Sequence, residues 1–207
     1  MKKMKLWLLA AILLCGAGCK DAGQSTADDQ KTDQDSVDLV EATGDFDFMP
    51  VVDKYLVDSI GAFYAPADIC IPCATIVACE QPTPDSAMVW GDFWVFNFNV
   101  VGDTLKTISG GDHPGLMCLK KNAKGEFEVV TFDRVVDGHG NLESAKRIFG
   151  EMYEAFHGIN SDEETREEAR SLCISRYVKA HNLPVKYYQD YGWPAKEIPE
   201  KLMRPKH

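Results

Sequence analysis

Positive charge is scarce in this chain. Lys and Arg number 22 against 32 Asp and Glu, a net charge of −10 with His neutral. Lys2, Lys3 and Lys5 stand at the extreme N-terminus, and setting them aside leaves 19 bases against 32 acids. A body of that sign repels phosphate backbones and anionic headgroups, which excludes nucleic acid as a partner. Long apolar runs are lacking too. The run Leu6 to Leu14 is too short to span a bilayer as a helix. Between Lys20 and Ser36 there is almost no large apolar side chain, which excludes a packed core there. No internal repeat and no second domain are visible. No second cysteine pair follows Cys70 and Cys73 at the spacing of a zinc finger, and no strong catalytic motif appears, so neither a metal nor another cofactor is expected.

What is present begins with the N-terminus. Three lysines, the apolar run and then Gly16-Ala17-Gly18-Cys19 form a targeting segment. The segment resembles the lipobox of bacterial lipoproteins, in which small residues precede the lipid-bearing cysteine. That resemblance implies diacylglyceryl transfer to the Cys19 sulfur, cleavage before Cys19 and acylation of its new amino group. Cys15 fits less well, because Leu14 is too large for the position before the cut. The expected division is a signal peptide over 1–18, a lipidated Cys19 with a flexible acidic tether over 19–47, and one α+β domain over 48–207. Two or three acyl chains, at ~0.8 kcal/mol per buried CH₂, anchor a protein essentially irreversibly. The expected location is the cell envelope, typically the outer membrane of a Gram-negative bacterium. Lys20-Asp21 after the lipid cysteine looks like surface-export signals, although Ala22 and Gly23 follow where such signals continue acidic. Periplasmic and surface-facing orientations both remain open. The implied partners are the membrane, through the Cys19 lipid, and the lipoprotein maturation and export machinery.

The domain is organised around Met88–Val101, the densest aromatic run in the chain. Read as a strand, it places Trp94, Phe96, Phe98 and Val100 on one face and Asn97 and Asn99 on the other. Before it, Pro50 opens a helix whose apolar stripe is Val52, Tyr55, Leu56, Ile60 and Phe63. Asp68–Glu80 reads as a strand that Pro72 confines to an edge or a bulge, and Gln81–Ser86 as a connection unable to continue a ladder. Gly102-Asp103 is a turn. Thr104–Ser109 pairs back, Gly110–Gly115 breaks the chain again, and Leu116–Lys121 and Phe127–Val136 form a further hairpin. A helix presenting Ala145, Ile148, Phe149, Met152 and Phe156 follows, with Gly158 as its C-cap. A second starts at Ser161-Asp162-Glu163-Glu164 and presents Ala169, Leu172, Cys173, Tyr177 and Ala180. Tyr187, Tyr188, Tyr191 and Trp193 lie in an extended tail expected to pack on the body, fraying from Lys196 onward.

The fold class is therefore α+β: an N-terminal helix packed on a curved antiparallel sheet of four to five strands, then two helices and an aromatic tail. The element order over Pro50–Phe156 resembles the cone-shaped cystatin-like and ketosteroid-isomerase-like superfamilies, in which a curved sheet wraps a helix. That resemblance implies a fold and no single activity, since enzymes, binding modules and inhibitors share it.

Several constellations are candidates for chemistry. Cys70-Ile71-Pro72-Cys73 has the C-x-x-C spacing of thiol oxidoreductases, with Cys79 nearby, and Cys70, Cys73 and Cys79 are the candidate redox or disulfide cysteines. On a regular strand, however, Cys70 and Cys73 point to opposite faces. His113, Cys118 and His157 offer further metal or nucleophile partners only if the fold gathers them. Asp92, Asn97 and Asn99 are the candidate ligand-facing residues, on the polar side or at the end of the aromatic strand. The aromatic tail is a candidate glycan-stacking surface, and the acids Asp162–Glu168 read as a solvated helix face. The function these features favour is a non-enzymatic envelope lipoprotein that binds a small ligand, glycan or protein. An exported thiol-dependent enzyme using Cys70 and Cys73, or an isomerase-like cone, is the alternative.

Overall fold

The computed structural model describes residues 46–200. The lipobox with Cys19, nearly all of the tether and residues 201–207 lie outside the described residues.

The first helix, α1, spans Met49–Tyr55 with Pro50 in its first turn. It runs on through a π turn over Leu56–Ile60 and a 3-10 turn over Gly61–Phe63. Val52, Leu56 and Ile60 form its buried stripe, and Phe48 just ahead of it is fully enclosed. Phe46 stacks on Phe48 at 5.0 Å between ring centroids, and Phe127 meets Phe48 edge-on at 5.9 Å.

Three long strands follow as an antiparallel meander: β1 (Ile69–Thr83), β2 (Ser86–Val101) and β3 (Thr104–Lys121). Then come β4 (Phe127–Arg134), α2 (Asn141–Phe149), α3 (Tyr153–Ser161), α4 (Glu163–Ala180), β5 (Tyr187–Gln189) and β6 (Lys196–Glu197). All six strands belong to one open sheet in which β1 is an edge, β2 lies between β1 and β3, and the outer side of β3 is shared. There β4 pairs antiparallel with Gly115–Lys121, while β5 pairs parallel with Thr104–Lys106. The sheet is thus mixed and six-stranded, rather than antiparallel with four or five strands, because the tail supplies β5 and β6.

Further boundaries differ from the sequence expectation, each for a local reason. The segment Gln81–Thr83 continues β1, with Thr83 facing Ser86 across the turn. An edge strand can absorb Pro82, since half of its backbone groups face no neighbour. Pro72 is accommodated because β1 is an edge strand, one of the two settings expected for it, and the register shifts of β1 fall between Ile76 and Ala78 and between Glu80 and Thr83. The stretch Gly110–Gly115 does not break the chain but lies inside β3, paired with β2 residue by residue. Pro114 is tolerated there. Its carbonyl accepts from Val135 N at 2.8 Å, so its missing N–H faces the side where β4 has already ended. The helix expected over Ala145–Phe156 divides at Gly150, whose φ of 53° ends α2. Phe149 and Phe156 stack across the break at 4.0 Å, and α3 runs past Gly158. Lys196 is paired in β6 and Ile198 is buried, so the chain is ordered beyond the point where fraying was expected.

The largest correction concerns β2. Its Trp94/Phe96/Phe98 face does not meet α1. The side facing α1 carries Val89, Phe93 and Val95, which pack with Phe48, Val52, Leu56 and Ile60. Phe96 and Phe98 pack instead with Ile71, Cys73, Ile174 of α4, and Val185, Tyr188 and Ile198 of the tail. Further along the same face, Trp90 packs with Ala145, Ile148, Phe149 and Phe156. Both faces of β2 are therefore covered by other elements. A disulfide joins Cys73 on β1 to Cys173 on α4, with Cα atoms 5.6 Å apart.

Candidate functional site

The cavity of interest opens between the N-terminal half of α4 and the sheet face beneath it, and its volume is about 400 Å³. Its floor is the sheet, with Cys73 and Thr75 from β1 and Asp92, Trp94 and Phe96 from β2. Strand alternation puts Asp92, Trp94 and Phe96 on one face. Its roof is α4. Glu163, Arg166, Glu167 and Arg170 recur at i, i+3, i+4 and i+7, so one helical face carries all four over the floor. Asp162 caps that helix, accepting from Thr165 N at 3.1 Å. The mouth is formed by the tail, with Tyr188, Asp190, Trp193, Pro194 and Lys196, and Ile159 of α3 closes one end.

Asp92 is the centre of this site. Its residue is 1% exposed, and one carboxylate oxygen, Oδ2, accepts from Trp94 Nε1 at 2.9 Å and from Asn160 Nδ2 at 3.1 Å. The other oxygen, Oδ1, is buried without a partner. Burial pushes the carboxyl up to about 6, with the nearby Asp112 adding to the rise; the Trp94 and Asn160 hydrogen bonds and the Arg166 charge oppose it. Arg166 Nε is also buried and unpartnered. An unmet buried polar group costs about 1–3 kcal/mol, and more when charged. Arg170 Nε is a third such atom, and groups of opposite sign left unmet in one cavity mark a place where a ligand can complete the bonding.

Arg170, Asp190, Glu167, Tyr188 and Lys196 are already engaged with one another, although Arg170 Nε is buried without a partner. Arg170 donates to both oxygens of Asp190, 2.7 Å each, and to Thr107 Oγ1 at 3.1 Å. Hydrogen bonds from Arg170 hold the Asp190 carboxyl down to about 2 against the opposing effect of burial, and Thr107 and Lys196 add to the lowering. The guanidinium lies 4.8 Å from the Phe96 ring centroid and 5.4 Å from that of Tyr188. Tyr188 donates to Glu167 Oε1 at 2.6 Å, and Lys196 Nζ lies 2.8 Å from the same oxygen. Burial first, and then the Glu167 bond, push the Tyr188 phenol up to about 12. These contacts tie α4 to β3 and the tail and hold the cavity walls in place.

The candidate residues from the sequence are distributed unevenly. Asp92 is in the cavity. Asn97 is buried and donates to Ser109 Oγ at 3.2 Å, and Asn99 accepts from Asp68 N at 3.2 Å near the far end of β2. Neither lines the cavity. Cys70 and Cys73 face opposite sides of β1: Cys73 is bonded to Cys173, whereas Cys70 packs toward the α1 side. Cys79 also packs on the α1 side, and Cys70, Cys79 and Cys118 are free thiols. Burial pushes the Cys70 thiol up, away from a reactive thiolate. His113 lies on the α1 side with its Nε2 2.9 Å from the Tyr64 hydroxyl, while alternation turns Cys118 to the other face. Gly111 makes room for that contact, since a Cβ there would come within 2.4 Å of the Tyr64 oxygen.

The acids at the start of α4 are not uniformly solvated, because Glu167 is half-buried in the cavity lining while Glu163, Glu164 and Glu168 are exposed. Arg166, Arg170, Asp190 and Asn160 were not among the sequence candidates. The alternating charges at Glu163, Arg166, Glu167 and Arg170 were the signal that could have marked the helix face. Among the described residues no cluster of three metal-ligating side chains forms, and no helix is long and apolar enough to cross a membrane. Comparison with models of protein families, with curated proteins and with solved structures finds no match to this chain.

Proposed function

We propose that this chain is a lipid-anchored protein of the bacterial cell envelope, tethered through Cys19, whose folded body binds a small polar ligand between α4 and the sheet. On this reading it is a binding module and not an enzyme. The observation that carries the ligand site is a set of unpartnered buried atoms, the acceptor Asp92 Oδ1 and the donors Arg166 Nε and Arg170 Nε, on residues lining one cavity of about 400 Å³. That volume falls within the ~300–1,000 Å³ typical of small-molecule sites. The space beneath α1, where an isomerase-like cone would need its cavity, is filled by Val52, Leu56, Ile60 and Phe93. A C-x-x-C redox site would need Cys70 beside Cys73, and the two face apart, so the thiol-enzyme alternative draws no support from this geometry.

Support for the anchor is the segment Gly16-Ala17-Gly18-Cys19 behind a lysine-flanked apolar run, followed by an acidic stretch suited to a solvated spacer. The lipoprotein maturation and export machinery would then be its first partners. The two halves of the proposal are tested separately. Cys19→Ala should abolish incorporation of labelled palmitate in cells, and continued labelling overturns the anchor. For the site, a metabolite library screened by thermal shift should contain compounds that raise the melting temperature of the wild-type chain but not of Asp92→Ala. Equal shifts in both chains would remove the cavity as the binding site.

A further inference from the structure

We infer that the cleft between α4 and the sheet takes a neutral sugar unit, bound by its hydroxyls to Asp92 and Arg166 and by its ring face to tryptophan. The inference rests on the ligand-site reading above and specifies its chemistry.

The charge balance comes first. Four carboxylates line the cavity, from Asp92, Glu163, Glu167 and Asp190, against three cations, from Arg166, Arg170 and Lys196. Arg170 is paired with Asp190, and Lys196 with Glu167. Outside these two pairs stand the carboxyls of Asp92 and Glu163 and the Arg166 guanidinium, and Asp92 Oδ1, Arg166 Nε and Arg170 Nε are buried without a partner. An anionic ligand would be set against Asp92 and Glu163. A cationic one would be set against Arg166. A neutral ligand meets neither penalty, but it must accept at one point and donate at another. A hydroxyl does both. Two neighbouring hydroxyls can donate to Asp92 Oδ1 and accept from Arg166 Nε. A carboxylate acceptor and a guanidinium donor make the stronger, charge-assisted kind of hydrogen bond.

The apolar lining supplies the second half of the match. Trp94 stacks on Phe96 with centroids 5.3 Å apart and planes 13° from parallel, forming a flat wall beside Asp92. Trp94 is itself fixed by its bond to Asp92, so the aromatic wall and the carboxyl are one rigid unit. At the mouth, Trp193 is 70% exposed although it lines the cavity. It stands on a turn closed by Trp193 N donating to Asp190 O at 3.1 Å, and Gln189 Nε2 donates to the Trp193 carbonyl at 2.8 Å. Asp190 is in turn held by Arg170, so this turn is not a loose end. A pyranose presents C–H groups on its ring faces and hydroxyls around its rim. It can lie on a tryptophan while its edge reaches the carboxyl and the guanidinium.

The test uses the full chain purified in a polyoxyethylene detergent, which carries no sugar headgroup. The probes are an array of neutral and acidic glycans, followed by saturation-transfer NMR with the glycans that bind. At least one neutral glycan should bind, with saturation reaching its ring C–H protons. Trp193→Ala, at an exposed position whose loss spares the core, should weaken that binding at least tenfold. Asp92→Asn, which exchanges an acceptor for a donor at Oδ1, should abolish it. The inference is overturned if no neutral glycan binds, or if binding is unchanged in both variants. Should nucleosides, or charged ligands only, bind in an Asp92-dependent way, the sugar assignment fails and the ligand site stands. Should no small molecule of any class bind in an Asp92-dependent way, both readings fail.

Discussion

Replacing Asp92 by Asn should make this protein more stable at neutral pH while leaving its stability at pH 4 almost unchanged. Asp92 is enclosed on the central strand, faced by Trp94 on its own strand, Asn160 of α3, Arg166 of α4 and Asp112 of β3. Burial holds its carboxyl at about 6, against an ordinary value of 3.8 for the unfolded chain. Because the folded-state value is the higher one, the fold favours the protonated carboxyl. The wild-type chain is therefore at its best below pH 4 with respect to this group, and loses stability as pH rises from about 4 to about 6. Each tenfold difference in proton affinity is worth about 1.4 kcal/mol, so the full loss above pH 6 is on the order of 3 kcal/mol. Asparagine keeps an acceptor for Trp94 Nε1 and Asn160 Nδ2 and carries no charge to desolvate. Asp53, also pushed up to about 6 by burial, titrates in the same direction but is present in both chains and cancels in the comparison. Urea denaturation or thermal melting from pH 4 to pH 8 gives the result directly. The two chains should coincide near pH 4. By pH 7–8 the variant should be about 3 kcal/mol ahead, roughly 6–12 °C in melting temperature for a domain of this size. A constant difference across that range would refute the reasoning, since it would mean that the Asp92 charge is not paid for by the fold.

Three other perturbations probe the frame around the site. Cys173→Ser opens a link that closes 100 residues of sequence, so the urea midpoint should fall by the equivalent of about 3–5 kcal/mol; an unchanged midpoint would show that the bond does not constrain the fold. Phe96→Ala removes a buried ring that touches Trp94, Phe98 and the Arg170 guanidinium, at a cost of roughly 3–5 kcal/mol. A loss below about 1 kcal/mol by chemical denaturation would contradict the packing of that face. In Gly91→Ala the new Cβ would stand 2.7 Å from the backbone carbonyl of Thr75 on the paired strand, which cannot swing away, so about 1–3 kcal/mol should be lost by the same measurement.

The order of elements was legible because each leaves a periodic trace. Val52, Leu56 and Ile60 repeat at helical spacing, and the strands alternate between punctuating turns. What the trace hid was the number of covered faces. Met88–Val101 contains Val89, Phe93 and Val95 as well as Trp94, Phe96 and Phe98, a nearly continuous apolar run. Such a run signals burial on both sides. Reading it as simple alternation assigned α1 to the wrong face, and left no place for α4 on the other. Likewise the Gly-rich stretch 110–115 reads locally as a break, yet pairing with β2 carries the strand through it, with β4 joining on the other side at Gly115. Local propensity lost to long-range pairing there, and no window of sequence displays that pairing.

The site was less visible, and for a different reason. Asp92 could be singled out because a lone acid inside an aromatic strand is anomalous on its face. Its partners come from segments far away in the chain, Asn160 at the end of α3 and Arg166 on α4, with Asp190 and Trp193 on a turn beyond β5. Asn97 and Asn99 sit beside Asp92 in sequence, yet each spends its amide on the backbone or hydroxyl next to it, which is what a satisfied polar residue does. The distinguishing property is therefore not polarity on a strand but polarity left unmet after folding. Glu167, Arg170 and Asp190 close their own network, and Thr107, Tyr188 and Lys196 complete it. Among the described residues, Asp92 Oδ1 is the buried acceptor left over in this cavity, and Arg166 Nε and Arg170 Nε are the buried donors. Conformational entropy gives no reason to keep such a set buried, and the stability lost to the Asp92 charge above pH 6 argues against it. On the proposed reading a binding requirement outweighs that cost, so the Asp92 share of the pH dependence of stability and the binding of a hydroxyl-bearing ligand should be lost together in Asp92→Asn, while the Asp53 share remains.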